Sequence, residues 1–184
     1  PDTKQCVNEQ CLPNPAPDCE SPFQIAGKTY QYCHDLRSWE SARLACRARG
    51  YDLAIMNTPN EYTAVTSALA GVVAGDYWLG GHDRGDNGSG IAACTRTASE
   101  GVWRWVDPQS GSEQGVEFCR FVNASANSCT ATNGAFMAWN AGQPDNNGCS
   151  CGLLNLGACN NAEDCLLVGA NGWSDVVCSA ARTY

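Results

Sequence analysis

The sequence predicts an α+β domain whose helices come early and whose short strands and long loops come late. Two helical runs with N-capping signals fall before Gly71, and short β-type runs with Gly-rich connections follow Asp76. Thirteen cysteines in 184 residues, spread from Cys6 to Cys178, point to loops stapled by disulfides in an oxidising compartment.

Hydrophobic residues make up 43% of the chain, enough for a real core, and no apolar run is long enough to cross a bilayer. The formal charge of −8, with 11 Lys and Arg, removes the basic footprint of a nucleic-acid binder. Zinc is a poor account of the cysteines. Cys149-Ser150-Cys151 is too tight for a ligand pair, and His34 and His82 lie far from it in sequence. The odd cysteine count leaves one thiol without an internal partner.

Residues 1–18 hold Cys6, Cys11 and four prolines, and read as an extended, stapled arm ahead of a main domain over residues 19–184. Phe23, Ile25, Tyr30 and Tyr32 suggest two short strands about a Gly27-Lys28 turn. Ser38 then introduces a helix from Trp39 to Arg49, closed by Gly50, with Trp39, Ala42, Cys46 and Arg49 on one face. Thr58, Pro59 and Glu61 form an N-cap, first-turn proline and capping box for a second helix. Its apolar stripe is Tyr62, Val65 and Leu69. Tyr77-Trp78-Leu79-Gly80 and Val102-Trp103-Arg104-Trp105-Val106 read as strands, the second with both tryptophans on one face. Three polar islands close the chain: Gln143 to Asn147, Glu163-Asp164, and Ser174-Asp175. They flank the apolar Leu166-Leu167-Val168, and each supplies oxygen donors of the kind a hard divalent cation takes.

Six of these segments, in this order, resemble the C-type lectin-like domain. Ser38 to Cys46 resembles its first helix, and Tyr77-Trp78-Leu79-Gly80-Gly81 its central W-I-G-L strand. Val102 to Trp105 is similar to its G-x-W-x-W segment, and Trp139 to Asn146 to its W-x-x-G-Q-P-D-N loop. Glu163-Asp164-Cys165 and Trp173-Ser174-Asp175 through Cys178 complete the series. The resemblance implies two helices with short antiparallel sheets and long disulfide-stapled loops, and a secreted or cell-surface, non-enzymatic carbohydrate binder.

The same resemblance implies a Cys165–Cys178 disulfide. It also implies that Cys46, the family's first-helix cysteine, pairs with one beyond Tyr184, so that residues 19–184 lack the last C-terminal segment. A free Cys46 or a rearranged pairing is the alternative. Cys19–Cys33, Cys119–Cys129, and Cys159 with Cys149 or Cys151 are further candidate staples among many connectivities.

By resemblance, one Ca²⁺ is held by Gln143, Asp145, Glu163, Ser174 and Asp175, with a cis bond before Pro144. A glycan completes the shell while Gln143, Asp145, Glu163 and Ser174 hydrogen-bond its hydroxyls. Gln-Pro-Asp resembles the family's galactose-type variant, which exchanges donor and acceptor sides and implies galactose or N-acetylgalactosamine as ligand. Two departures stand out. Ser174 replaces an Asn, and residues 148–162 form a longer insertion than usual, with three cysteines. Asp83, with Glu163 and Asp164, would form an auxiliary calcium site. Trp139 and Trp173 match core positions. Monosaccharide affinity at one site is weak, so an oligomer would supply avidity. The alternative is a protein-binding or adhesive domain of the same fold that uses its insertions.

Other signals are slight. Arg84-Gly85-Asp86 is an integrin-type tripeptide, and Asn87 and Asn123 head glycosylation sequons. No phosphate loop, nucleophile elbow or triad pattern is present.

Overall fold

A computed structural model describes residues 18–73, 75–83, 102–121, 129–145 and 163–184, together with the backbone of 4–7 and 10–13. Within the N-terminal arm, β1 (Lys4–Val7) and β2 (Gln10–Pro13) pair as an antiparallel hairpin with Cys6 opposite Cys11. The arm therefore holds regular structure where the prolines suggest only an extended linker. Its last proline pair, Pro15 and Pro17, lies outside the described residues.

β3 (Phe23–Ile25) and β4 (Lys28–Tyr30) form a second hairpin. Its turn is Ala26-Gly27, one residue earlier than expected, and both residues have positive φ, 52° and 79°. That pair of left-handed residues is the twist-matching solution for a two-residue hairpin. The Cys19–Cys33 disulfide closes the base of this unit.

Helix α1 (Trp39–Arg47) starts where the sequence places it, with the Ser41 N–H donating to Ser38 Oγ at 3.3 Å. It ends two residues short of the expected Arg49. Ala48 caps it, and Gly50 turns the chain with φ 81° just beyond. In α2 (Pro59–Leu69) the Glu61 N–H donates to Thr58 Oγ1 at 3.2 Å. The Glu61 carboxylate reaches back to the Asn57 N–H at 3.0 Å, one residue ahead of the N-cap. It also accepts from Lys28 Nζ at 2.6 Å and from the Tyr30 hydroxyl, so the capping side chain also pins the β3–β4 hairpin to α2.

The remaining strands are β5 (Tyr77–His82), β6 (Val102–Trp105), β7 (Glu117–Phe121), β8 (Cys129–Ala131), β9 (Cys165–Gly169) and β10 (Gly172–Val176). They form one antiparallel sheet in the order β10-β9-β5-β6-β7-β8. A short 3₁₀ turn, Thr132–Gly134, follows β8. All six residues of β5 are buried, which matches a central strand covered on both faces. The Trp39 indole donates to the Leu79 carbonyl at 2.7 Å, and the Trp78 indole to the Arg37 carbonyl at 2.8 Å. These bonds lock α1 and its approach against β5. On the other side of the core, Trp103 and Trp105 both pack against Phe118, and Trp173 meets the Trp105 and Phe118 rings edge-on.

The described disulfides agree with three expected pairings: Cys19–Cys33, Cys119–Cys129 and Cys165–Cys178. Cys46 is free among the described residues. Cys94, Cys149, Cys151 and Cys159, the Arg84-Gly85-Asp86 tripeptide and the sequons at Asn87 and Asn123 lie outside them. No helix among the described residues is long and apolar enough to cross a membrane.

Candidate functional site

Strand β10 builds the site. Gly172 opens it with φ 136°, and a Cβ there would lie 2.5 Å from the Ala138 carbonyl oxygen, so only glycine lets the preceding loop approach. That loop is then stitched to the strand. The Trp173 N–H donates to the Ala138 carbonyl at 2.7 Å, and the Asn140 N–H donates to the Trp173 carbonyl at 2.8 Å. Three residues on, the Gln143 N–H donates to the Asn140 carbonyl at 3.0 Å, and Gly142 makes the turn with φ 83°. The Gln143–Pro144 peptide is cis, as expected.

Gln143, Asp145 and Asp175 are joined directly. The Asp175 N–H donates to Gln143 Oε1 at 3.2 Å, and the Asp145 N–H donates to Asp175 Oδ1 at 3.1 Å. Asp175 is buried, whereas Gln143 and Asp145 are half-buried at the rim. Glu163 arrives from the other side. Its segment enters β9, whose register sets Cys165 opposite Val176, and the Cys165–Cys178 disulfide fastens the same end. Buried Leu166, Leu167 and Val168 hold β9 in place.

The result is that Asp145, Glu163 and Asp175 each present a carboxylate oxygen, all within 4.8 Å of one another. Like charges this close repel by roughly 3–4 kcal/mol per pair at an effective dielectric of about 20. A divalent cation offsets that repulsion. An all-oxygen set of three carboxylates and an amide carbonyl suits Ca²⁺ better than the nitrogen and sulfur ligands zinc prefers.

The other expected site residues fall differently. Ser174 lies beside Asp175 in β10, half-buried and opposite Leu167. Asp83 and Asp164 are buried and linked through the backbone, the Asp83 N–H donating to the Asp164 carbonyl at 3.1 Å. Glu163 groups with Asp145 and Asp175; among the described residues it makes no comparable three-acid cluster with Asp83 and Asp164. Trp173 is fully buried, and Trp139 packs on Trp103, Phe118 and Trp173, so both serve the core. A grouping of Cys19, Cys33 and Asp35 offers no thiolate, because its two cysteines are bonded to each other. Sequence reasoning missed the stitch between Ala138–Asn140 and Trp173. Gly172 is its sequence trace, but a glycine there reads equally as an ordinary hairpin turn.

The architecture matches solved structures. The carbohydrate-recognition domain of the human scavenger receptor C-type lectin superposes with a TM-score of 0.56 at 21% identity, over 88% of this chain and 91% of that one. The fold is that of the C-type lectins. Sequence similarity points the same way. Human C-type lectin domain family 17 member A is 32% identical over 111 residues, which are 58% of this chain and 25% of that protein. Mouse C-type lectin domain family 4 member F is 25% identical over 162 residues, 86% of this chain and 21% of that protein. The chain thus spans about a quarter or less of the length of these two relatives. No family model matches. Within this C-type lectin fold, the Gln143–Asp145 loop, Glu163 and β10 form the acidic cluster at one end of the sheet.

Proposed function

We propose that the domain is a calcium-dependent carbohydrate-binding module that works outside the cell and recognises terminal galactose or N-acetylgalactosamine. One observation carries the reading: three carboxylates from three separate segments meet within 4.8 Å beside the Gln143 amide. Gln143, Asp145, Glu163 and Asp175 would hold Ca²⁺, with Ser174 as a fifth oxygen donor of shorter reach. A Ca²⁺ bound there would supply Lewis acidity toward sugar hydroxyls. The protein supplies the hydrogen bonds. Gln143 brings an amide NH₂ to one side of the hydroxyl pair and Asp145 an acceptor to the other, an arrangement that favours the 3- and 4-hydroxyls of galactose. The disulfides support an extracellular setting. Weak single-site binding would be made useful by presenting several copies.

The deciding experiment is a glycan array read with calcium and with EDTA. Galactose-terminated glycans are retained with calcium and lost with chelator. Retention unchanged in EDTA, or selective binding of mannose-terminated glycans, rejects the reading. Calcium-independent capture of a protein partner would favour an adhesive domain that uses its insertions instead.

A further inference from the structure

The turn after α1 sets one arginine against a disulfide. The Arg49 N–H donates to the Cys46 carbonyl at 2.9 Å and the Gly50 N–H to the Arg47 carbonyl at 3.0 Å, so the chain leaves the helix in a fixed direction. From there Arg49 Nη1 donates to Cys19 Sγ at 2.5 Å and to Cys33 Sγ at 3.0 Å. Among the described residues no carboxylate forms a salt bridge with Arg49. An Asp35 carboxylate oxygen lies within 4.8 Å of both sulfurs, but Arg37 Nε already binds that carboxylate. The sulfurs of Cys119–Cys129 and Cys165–Cys178 receive no such side-chain donor among the described residues.

A guanidinium gains little from the sulfurs of an intact disulfide, which are weak acceptors. A thiolate is a different partner. Its charge makes the same hydrogen bond charge-assisted, and a neighbouring arginine lowers the pKa of a cysteine. In thiol–disulfide exchange, the thiol of lower pKa leaves faster. Arg49 therefore favours the broken bond more than the whole one.

The surroundings also let the bond close again. Cys19 and Cys33 face each other across an isolated antiparallel bridge. On either side of them the Glu20 N–H donates to the Tyr32 carbonyl and the His34 N–H to the Asp18 carbonyl, each at 2.8 Å. Cys33 is held further by the Tyr184 N–H, which donates to its carbonyl at 3.1 Å. These bonds keep the two cysteines adjacent when no covalent link joins them. Cys19 is half-buried and Cys33 buried, so Cys19 is the side open to an incoming thiolate.

We propose that Cys19–Cys33 is an exchangeable disulfide, opened by a dithiol reductant and closed again by that dithiol's oxidised form, with Arg49 holding the departing thiolate. The first thiolate of the reductant bonds to Cys19 Sγ, and the Cys19–Cys33 bond breaks with its electron pair going to Cys33 Sγ. The second thiolate of the reductant then displaces Cys19 and leaves as an intramolecular disulfide. The dithiol loses two electrons, the two cysteines gain them, and the protons of the dithiol pass through solvent. Opening turns the staple at the entrance to the domain, where the N-terminal arm joins it, into a contact held by backbone hydrogen bonds.

The test exposes the native protein to graded dithiothreitol, quenches with N-ethylmaleimide at intervals and maps the modified peptides by mass spectrometry. Cys19 and Cys33 become modified ahead of Cys119, Cys129, Cys165 and Cys178. Arg49→Gln slows the opening of this pair about fivefold or more, because the pKa of the leaving thiol rises. Arg49→Lys keeps the charge and stays near the wild-type rate. Arg47→Gln, which alters a side chain bound to the Gly111 carbonyl instead, leaves the rate unchanged. A packing role for Arg49 has the opposite sign, since its removal would uncover the bond and speed the opening. Opening of Cys19–Cys33 no earlier than the other two bonds, or an Arg49→Gln rate equal to or above wild type, would overturn the proposal. Neither calcium nor glycan enters the measurement, so its outcome is separate from that of the glycan array.

Discussion

The backbone N–H of Asp145 donates to Asp175 Oδ1 across 3.1 Å, joining two segments 30 residues apart in the chain. With the return bond from the Asp175 N–H to Gln143 Oε1, this makes Asp175 the post to which the Gln143–Asp145 loop is tied. The same carboxylate group belongs to the acidic cluster, so its charge and its acceptor role are separable by substitution. Asp175→Asn keeps an oxygen for the Asp145 N–H and removes the charge. It should lower calcium affinity at least tenfold in calorimetry while leaving the melting temperature in EDTA within a few degrees. Asp175→Ala also strands the Asp145 N–H and should cost a further 1–3 kcal/mol of stability. Asp145→Ala should abolish calcium-dependent sugar retention with the scaffold intact. Full retention in either the Asn or the Ala variants would remove these residues from the site.

Acid should act on two carboxylate systems with separate consequences. The cluster coordinates a cation only when ionised, so calcium-dependent retention should fall as pH drops through the carboxylate range. Retention that stays flat down to pH 4 would argue against carboxylate ligation.

Glu61 is the second system, and its readout is stability. Burial raises its pKa, but hydrogen bonds from Lys28, Tyr30 and the Asn57 N–H outweigh that and hold it below the ordinary carboxylate value. A folded-state value below the unfolded one means stability that is fully present above the unfolded pKa. It is lost as pH falls through the folded value. Glu61→Gln should therefore lower stability near neutrality and flatten its acid dependence, as measured by urea denaturation between pH 3 and 7. A variant with the wild-type slope would show that another group controls the acid response.

How much of this was legible in the sequence depends on the range of the interaction. Ser38 and Thr58 cap their helices with side-chain bonds three residues away, and the residue types alone announced them. The end of α1 was misplaced because Gly50 signals a turn without fixing how many residues precede it, and Ala48 closes the helix first. The polar islands holding Asp145, Glu163 and Asp175 read as oxygen donors for a hard cation from the residues alone, but their choice as a ligand set rests on the resemblance of their flanking motifs. Their meeting depends on the pairing of β9 with β10 and on the Ala138–Trp173 stitch, neither of which is a local property. The reach of Glu61 to Lys28 spans 33 residues and left no local trace, since a capping box was a sufficient reading of the same glutamate.

Cys46 should behave as a protected thiol in this chain. Burial pushes its pKa up to about 12, with the nearby Asp52 charge adding to the effect. The thiolate fraction at pH 8 is then smaller than that of an ordinary cysteine by roughly three orders of magnitude. Peptide mapping after iodoacetamide treatment should find Cys46 unmodified in native protein and fully modified in urea. Rapid native labelling would contradict the burial. Protection that persists in urea and yields only to reductant would show that Cys46 is disulfide-bonded.

The Cys165–Cys178 bridge sits where stability and site geometry meet. It joins β9, directly after Glu163-Asp164, to the segment directly after β10, with a Cα–Cα distance of 5.1 Å and a sequence separation of 13. Closing a loop of that size contributes about 3 kcal/mol by restricting the unfolded chain. Replacing both cysteines by alanine should cost about that much in urea denaturation. The bridge also fixes the end of the hairpin from which Glu163 reaches Asp145 and Asp175, so calcium affinity should fall as well. Asn140→Ala supplies the contrast, because it leaves the backbone bond to the Trp173 carbonyl intact and should change neither quantity appreciably. If the double alanine variant loses stability but binds calcium with wild-type affinity, the β9–β10 pairing alone positions Glu163, and the disulfide serves only the scaffold.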